Sequence, residues 1–574
     1  METLFVERLD HLGVVAGVIK DLGISTMIDA RIPPDEREEI TTGEAVAGMI
    51  LNGLGFFSRP LSLTPQFFEK KPLDLLFREG VCFQHFNRFK LGRSLDKVYA
   101  YGCNLLFSEI SLAVCQKEGI DLRFNSLDTT SFSLTGEYDS STDEEAILVT
   151  YGYSKDHRPD LKQVILELMV SQDGGVPFLS QSWNGNANDN QIFFLRSQAL
   201  IEEFKASPKP RYLVADAKLY TQENAKNLAL FPFITRIPGT LAIEQQVIDQ
   251  AWSIDSWQPL VEMAVADESG TRGNLSSSRG TPPFRLPTVS DTTYSYQRLW
   301  LCHYGIQQRW LIIYSKAAEK RAEKTLKKAV TKEFSSVQKQ LKKLAKKPFS
   351  SPSLAGAALE EIASKWVYHR VVESTISEKR KYAKRGKPKA DTPIKSRTWH
   401  IATVSAKDEE KIEKQRRQKA CFVLGSNIAE NELTDIEIFS GYKGQSAIEQ
   451  GFSFLKDPVF FVSSLFVKKP ERIQGLLMVM TLALLVYSIA QRRARKSLMA
   501  YGELIPNQIG QPTQTPTLRW LFQLLEGIHR VTFSVEGKVR QVIEGLTDLR
   551  QKILRLFSES VIKIYYLSLS ASSP

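Results

Sequence analysis

A chain of 574 residues is longer than one hydrophobic core usually organises, and its length points to about three or four structural units. Apolar residues at 43% and charged residues at 24% exclude a disordered or collagen-like chain. The net charge of +11, from 75 Lys and Arg against 64 Asp and Glu, favours a polyanionic partner, because counterions released from phosphates reward clustered basic side chains.

Cys82, Cys103, Cys115, Cys302 and Cys421 lie far apart without a C-x-x-C pair, which excludes a zinc or redox site read from spacing and fits a reducing cytoplasm. The opening Met1-Glu2-Thr3-Leu4-Phe5 lacks a basic segment followed by an apolar one, so no secretory signal is expected. Gly475 to Ala490 is almost wholly apolar, bracketed by Lys468, Lys469 and Arg472 and by Arg492, Arg493 and Arg495. It falls short of the about 20 residues a spanning helix needs, so a buried core helix is expected and no membrane partner.

Residues 1–118 read as an all-α domain from apolar residues at helical spacing. Thr41 and Glu44 fit a capping box ahead of Ala45 to Leu51, and Asn52-Gly53 with Gly55 end that helix. His85 sits among Cys82, Phe83, Phe86 and Phe89 with no second ligand at useful spacing, so it reads as a core histidine.

From Leu122 the texture turns to period-2 alternation. Strands are predicted at Arg123 to Leu134, Gln163 to Ser171 and Val176 to Trp183, the last two joined by a hairpin turn at Asp173-Gly174-Gly175. A helix at Asp189 to Phe204, a strand at Tyr212 to Ala215, a helix at Gln222 to Ala229 and a strand at Phe233 to Ile237 follow. The order β-β-β-α-β-α-β is that of a mixed sheet flanked by helices.

After Pro238 the pattern breaks. Residues 267–293 read as an extended loop, followed by strands at Tyr294 to His303 and Gln308 to Tyr314. Lys316 to Lys347 carries twelve Lys or Arg against three Glu, with Leu326, Val330, Val337, Leu341 and Leu344 as an apolar stripe; it predicts one basic amphipathic helix, or two, ending at Pro348. Its basic face includes Lys320, Lys324, Lys327, Lys328, Lys342, Lys343, Lys346 and Lys347. A second basic cluster, Lys379 to Lys389, reads as an exposed hairpin tip or loop. A strand at Ala420 to Gly425 resumes the core, helices run from there to about Leu567, and Ser568 to Pro574 read as a frayed tail.

The expected organisation is therefore a helical domain at 1–118, a first core segment at 119–240, an insertion at 241–418, a second core segment at 419–500 and a helical region at 501–574.

Asp128 lies inside the first core strand and Asp216 ends the fourth. Either alone is equally well explained as an acid bonding its own backbone in a turn. The third element is Tyr442 to Lys456: if helical throughout, Tyr442, Glu449 and Lys456 at sevenfold spacing share one face, drifting about 20° per step. Ile448, Phe452 and Leu455 form the neighbouring packed stripe, which would hold Glu449 rigidly. Three such carboxylates suit two Mg²⁺ (or Mn²⁺) ions and phosphodiester displacement.

At these residues the chain resembles DDE transposases of bacterial insertion sequences, in the insertion-sequence-four superfamily and its sixteen-thirty-four-like group. The resemblance rests on Asp128-Thr129-Thr130-Ser131, the segment Gly152 to Gln163, Ala215-Asp216, Phe233 to Pro238, Tyr442 to Lys456, and in the N-terminal region Leu51 to Phe56 and Arg59-Pro60-Leu61. It implies a ribonuclease-H-like core interrupted by a strand-containing insertion domain, with Asp128, Asp216 and Glu449 as catalytic metal ligands. It further implies cut-and-paste chemistry on the terminal inverted repeats of the element and on target DNA, a homodimer on paired ends, and a bacterial, nucleoid-associated location.

The family pattern is Tyr, two residues, Arg, three residues, Glu, six residues, Lys; Tyr442, Glu449 and Lys456 match, and Gln445 stands at the Arg. Tyr442, Gln445 and Lys456 then take the roles of phosphate contacts, with Gln445 lacking the charged fork of Arg. The insertion domain is expected near DNA, which gives the eight lysines a phosphate-contacting role. Trp300, Trp310, Trp366 and Trp399 are candidates by type for holding a flipped base, and residues 1–118 for end recognition. The competing readings are a ribonuclease-H-like nuclease without strand transfer and a DNA-binding protein that has lost catalysis.

Overall fold

The computed structural model describes residues 2–56, 60–138, 141, 143–156, 158–206, 211–260, 294–383, 393–457, 467–535 and 538–565, with 2–4 and 201–206 in backbone only. The loop read at 267–293, the basic residues 384–389, Arg59 and the tail from Ser568 lie outside them. The chain forms a mixed α/β protein of two compact units: Met1–Thr235, Thr281–Phe284 and Phe439–Pro574 in one, Arg236–Gly280 and Arg285–Ile438 in the other.

In the first unit the strands run in the order Val176–Trp183, Lys162–Ser171, Phe124–Leu134, Tyr212–Ala215, Phe233–Arg236. The first three pair antiparallel and the last two add in parallel. Alternation placed each of their ends within one residue. Gly174 and Gly175, at φ 88° and 66°, make the turn read from Asp-Gly-Gly.

Register assigns the two faces of this sheet. Thr129, Glu167 and Gln181 stand side by side on one; Asp128, Leu168 and Ser180 stand on the other. Helix Asp189–Ala206 lies on the Thr129 face, because its Arg196 bonds Glu167 and Gln181. The opposite face carries helix Pro470–Ala500, whose Thr481 Oγ1 is 3.4 Å from Ser180 Oγ.

That helix is long and apolar enough to cross a membrane, yet 89% of its apolar window is buried inside the protein. The arginines at its end form internal ion pairs: Arg492 with Asp173, and Arg493 with Asp21 at 2.7 Å and Glu118 at 2.6 Å. It is a core helix, as its sequence suggested.

The N-terminal region departs from the all-α expectation. It begins with strand Glu2–Arg8, which pairs with His529–Val535, itself hairpinned to Lys538–Glu544 in a three-stranded sheet. The C-terminal region is correspondingly not all helical. The partners lie some 520 residues apart, so no local pattern announces the pairing. Helix Thr42–Leu54 has the expected capping box, with Glu44 N donating to Thr41 Oγ1 at 3.0 Å and Thr41 N to Glu44 Oε2 at 2.9 Å. His85 is structural, its Nδ1 accepting Cys82 N at 3.1 Å.

In the second unit, antiparallel strands run in the order Cys421–Ser426, Ile306–Ser315, Tyr294–His303, Gln258–Pro259. Tyr304 and Gly305, both at positive φ, close a two-residue hairpin. Lys316–Lys346 is a single helix that buries Ala322, Leu326, Val330, Val337, Leu341 and Leu344. A long hairpin, His369–Tyr382 with Ile394–Lys407, packs on this helix and leads into the second basic cluster.

Candidate functional site

Two parallel strands bring Asp128 and Asp216 together. Leu127 is in register with Ala215, so the next residue on each chain segment is an aspartate: Asp128 in mid-strand where the parallel pairing ends, and Asp216 just past the carboxyl end of its neighbour. Asp216 thus stands at the kind of strand end where ligands of open α/β sheets gather. Asp128 Oδ1 accepts Thr129 N at 2.7 Å, and Asp216 Oδ1 accepts Lys218 N at 2.9 Å, which fixes both carboxylates locally. Burial, with the nearby Asp216 charge adding to it, pushes the Asp128 carboxyl up to about 6 against the opposing pull of Lys155 and Lys218.

A third acid, Asp189 in the first turn of its helix, organises the cations beside this pair. Asp189 Oδ1 accepts Thr129 Oγ1 at 2.6 Å, and Oδ2 accepts Lys218 Nζ at 2.6 Å. Lys155 Nζ donates to Thr129 O at 2.5 Å and to Thr129 Oγ1 at 2.7 Å, and lies 3.3 Å from Asp189 Oδ2. Burial pushes Asp189 up, but Lys155, Lys218 and Thr129 outweigh it and hold the carboxyl below its ordinary value. Burial also lowers Lys155, a pull that Asp128 and Asp189 only partly oppose. Lys218 goes the other way, to about 12, because three aspartates outweigh its burial.

The Glu449 region is not one straight helix. Asp435–Lys443 and Ser446–Leu455 are separated by Gly444-Gln445, where Ala447 N bonds Gly444 O and Ile448 N bonds Gln445 O in the tighter i→i−3 pattern. A side chain at Gly444 would put its Cβ 2.0 Å from Gln172 Oε1, and Gln172 Nε2 donates to Ser126 Oγ at 3.1 Å and Gly441 O at 2.7 Å. The shared face expected for Tyr442 and Glu449 is therefore interrupted, while Glu449 and Lys456 keep theirs.

This helix runs along the Asp128 strand. At one end Gly444 abuts Gln172, which bonds Ser126; at the other, Lys456 Nζ lies 5.9 Å from the Phe132 ring centre and 2.7 Å from Asp156 Oδ1. The twelve residues from Gly444 to Lys456 advance about 18 Å as helix, and the six from Ser126 to Phe132 about 20 Å as strand. Glu449 is five-twelfths of the way along and Asp128 one-third, so they come to about the same level.

The Glu449 side chain is exposed, however, and among the described residues no three His, Cys, Asp or Glu are gathered as a metal set. Asp128 and Asp216 offer two hard oxygen donors, which fits Mg²⁺ held through one or two carboxylates. Of the other expected contacts, Tyr442 is half-buried, Gln445 is buried at the helix break, and Lys456 is paired with Asp156. Lys155, Asp189 and Lys218 were not picked out as site residues by sequence reasoning. The usable signals were Lys218 two positions after Asp216 and Lys155 inside the Gly152 to Gln163 segment.

In the second unit all eight named lysines, from Lys320 to Lys347, are exposed. Trp310 and Trp366 are buried with their indole N–H groups bonded to Gln308 and Gln340, and Trp399 is half-buried. Trp300 is 51% exposed, which leaves it alone of the four with an open face.

Residues 4–112 match a family described as "Domain of unknown function (DUF4277)". The chain is similar to a solved structure of the piggyBac transposase synaptic complex with hairpin DNA, at 9% identity over 89% of this chain and 79% of that one, with a TM-score of 0.35. That score is too low for the likeness to establish fold or function. No curated protein matches the chain.

Proposed function

We propose that this chain is a DNA transposase of the DDE type, with Asp128, Asp216 and Glu449 as its carboxylates on a ribonuclease-H-like core. The observation that carries the reading is the parallel register of Leu127 with Ala215, which sets Asp128, in mid-strand, beside Asp216, at the end of the neighbouring strand. The strand order and the level of Glu449 along the Asp128 strand support it. The insertion-sequence-four group is proposed on the motifs at Asp128 to Ser131, Gly152 to Gln163 and Tyr442 to Lys456.

Asp128 and Asp216 would hold one Mg²⁺ or Mn²⁺, and Glu449 would have to turn inward to complete a two-ion site. When bound, such ions stabilise the attacking and leaving oxygens of a phosphodiester displacement. The reaction is hydrolysis of the strand at each element end, freeing a 3′-hydroxyl that then attacks the opposite strand, as a hairpin, or target DNA. Tyr442, Gln445 and Lys456 are assigned to phosphates near the cleavage site, with Gln445 contributing least because it is buried. The eight exposed lysines are assigned to DNA backbone that positions without reading sequence. End recognition by residues 1–118, a homodimer on paired ends and a bacterial cytoplasmic location belong to the same proposal.

The test is incubation with Mg²⁺, duplexes carrying the DNA that flanks the coding sequence, and a target plasmid. Cleaved and joined products support the transposase; cleavage without joining makes it a nuclease. The exposure of Glu449 favours one alternative, a DNA-binding protein without catalysis, and binding with no cleavage would select it.

A further inference from the structure

Resting on the transposase reading, we propose that Lys218 is the protein's contact to the phosphate at the cleavage site, and that Asp189, Thr129 and Lys155 are the residues that position it. The two amines beside the aspartates differ in what they have left to give. An ammonium has three donors. Lys155 directs two at Thr129 O and Thr129 Oγ1, at 2.5 and 2.7 Å, lies 3.3 Å from Asp189 Oδ2 as an ion pair, and has a side chain only 22% exposed. Lys218 uses one donor, on Asp189 Oδ2 at 2.6 Å, and its side chain is 41% exposed. Lys155 is more fully engaged and turned inward; Lys218 has donors to offer and opens to solvent.

The backbone fixes where those donors stand. Asp216 Oδ1 accepts Lys218 N at 2.9 Å, so the turn that presents the second aspartate also starts the Lys218 side chain from its rim. The far end is fixed through a relay: Lys155 donates to Thr129 Oγ1, Thr129 Oγ1 donates to Asp189, and Asp189 accepts Lys218. Thr129 neighbours Asp128 on its strand, and Lys218 follows Asp216 by two residues. The Thr129 side chain is on the sheet face opposite Asp128, yet the Lys218 charge acts on both Asp128 and Asp216, so a phosphate drawn to the aspartates through a cation would also meet a positive side chain.

The test first maps where the wild-type protein cuts the flanking-sequence duplexes. Binding is then measured in EDTA, so that no metal contributes, on duplexes with either a native phosphate or a neutral methylphosphonate at that position. A charged hydrogen bond of this kind corresponds to about tenfold or more in affinity. Wild type is expected to lose that factor on the methylphosphonate duplex. Lys218→Met is expected to lose it on native DNA and nothing further on the modified duplex, with Lys218→Arg restoring the native value and Asp189→Asn losing part of it. If Lys218→Met still discriminates between the two duplexes as wild type does, the assignment is overturned while the transposase reading stands. If wild type cuts no flanking duplex, both fall.

Discussion

Arg196 reaches from its helix into the sheet and forks onto Glu167, Nε to Oε1 at 2.5 Å and Nη2 to Oε2 at 3.2 Å. Glu167 is fully buried, and Trp183 Nε1 donates to its Oε2 at 2.8 Å. Because Thr129 stands directly opposite Glu167 in the ladder, this pair seats the helix whose first turn carries Asp189 over the strand that carries Asp128.

Removing the arginine strands a buried carboxylate. Arg196→Met is expected to destabilise the protein by about 3–5 kcal/mol, the range for breaking a buried ion pair from one side. A lowered urea midpoint by circular dichroism checks this; an unchanged midpoint contradicts it.

The Asp128 carboxyl, raised to about 6 by its burial, reverses the usual pH dependence of an aspartate. Its folded pKa lies above the unfolded value of about 3.9, so its contribution to stability is greatest in acid and is lost as pH rises through about 4 to 6. Asp128→Asn should therefore melt higher than wild type at neutral pH without divalent ions, by about 2–4 °C per kcal/mol, and converge with it near pH 4. Added Mg²⁺ should raise the wild-type melting temperature at neutral pH and leave the variant unmoved. Differential scanning fluorimetry across pH is the measurement, and a difference that grows toward acid would contradict the assignment.

The basic helix makes a separable claim about DNA. Replacing Lys320, Lys324, Lys327 and Lys328 by Gln should weaken binding on all sequences alike. For every phosphate that these lysines neutralise in the wild type, the slope of log K against log salt should flatten by about 0.9 in the variant. A slope equal to wild type, from fluorescence anisotropy at several salt concentrations, would leave that face solvated and without a partner.

Gly444→Ala tests the seating of the Glu449 helix. The added Cβ would meet Gln172 Oε1 at 2.0 Å, so either Gln172 leaves Ser126 and Gly441 or the helix break shifts. Overpacking of this kind costs about 1–3 kcal/mol. DNA cleavage should fall by more than the stability change explains, and unchanged cleavage would separate the break from function.

The core strands were legible because short β-branched and apolar runs are bounded by turn residues within a few positions, and the capping box of Thr41 and Glu44 because both partners lie within one turn. What escaped is set by distant partners. Strand Glu2–Arg8 depends on His529–Val535, and the break at Gly444 on Gln172. The Asp189 network escaped for the same reason: Thr129, Lys155, Asp189 and Lys218 are far apart in the chain, and single charged residues carry no period. Asp128 and Asp216 stood out because one lies inside a readable strand and the other closes one, whereas the facing of Glu449 rested on an unbroken helix that Gly444 interrupts.

The central claim is that Asp128, Asp216 and Glu449 act together on a phosphodiester. Its most direct test is the single-turnover cleavage rate, in Mg²⁺, of Asp128→Asn, Asp216→Asn and Glu449→Gln on a flanking-sequence duplex, with DNA affinity measured in parallel. Loss of about a thousandfold in rate is expected in each, the size of a forfeited metal-ligand contribution, with affinity within a few-fold of wild type. Wild-type cleavage by Glu449→Gln, whose side chain starts exposed, would contradict the three-carboxylate site.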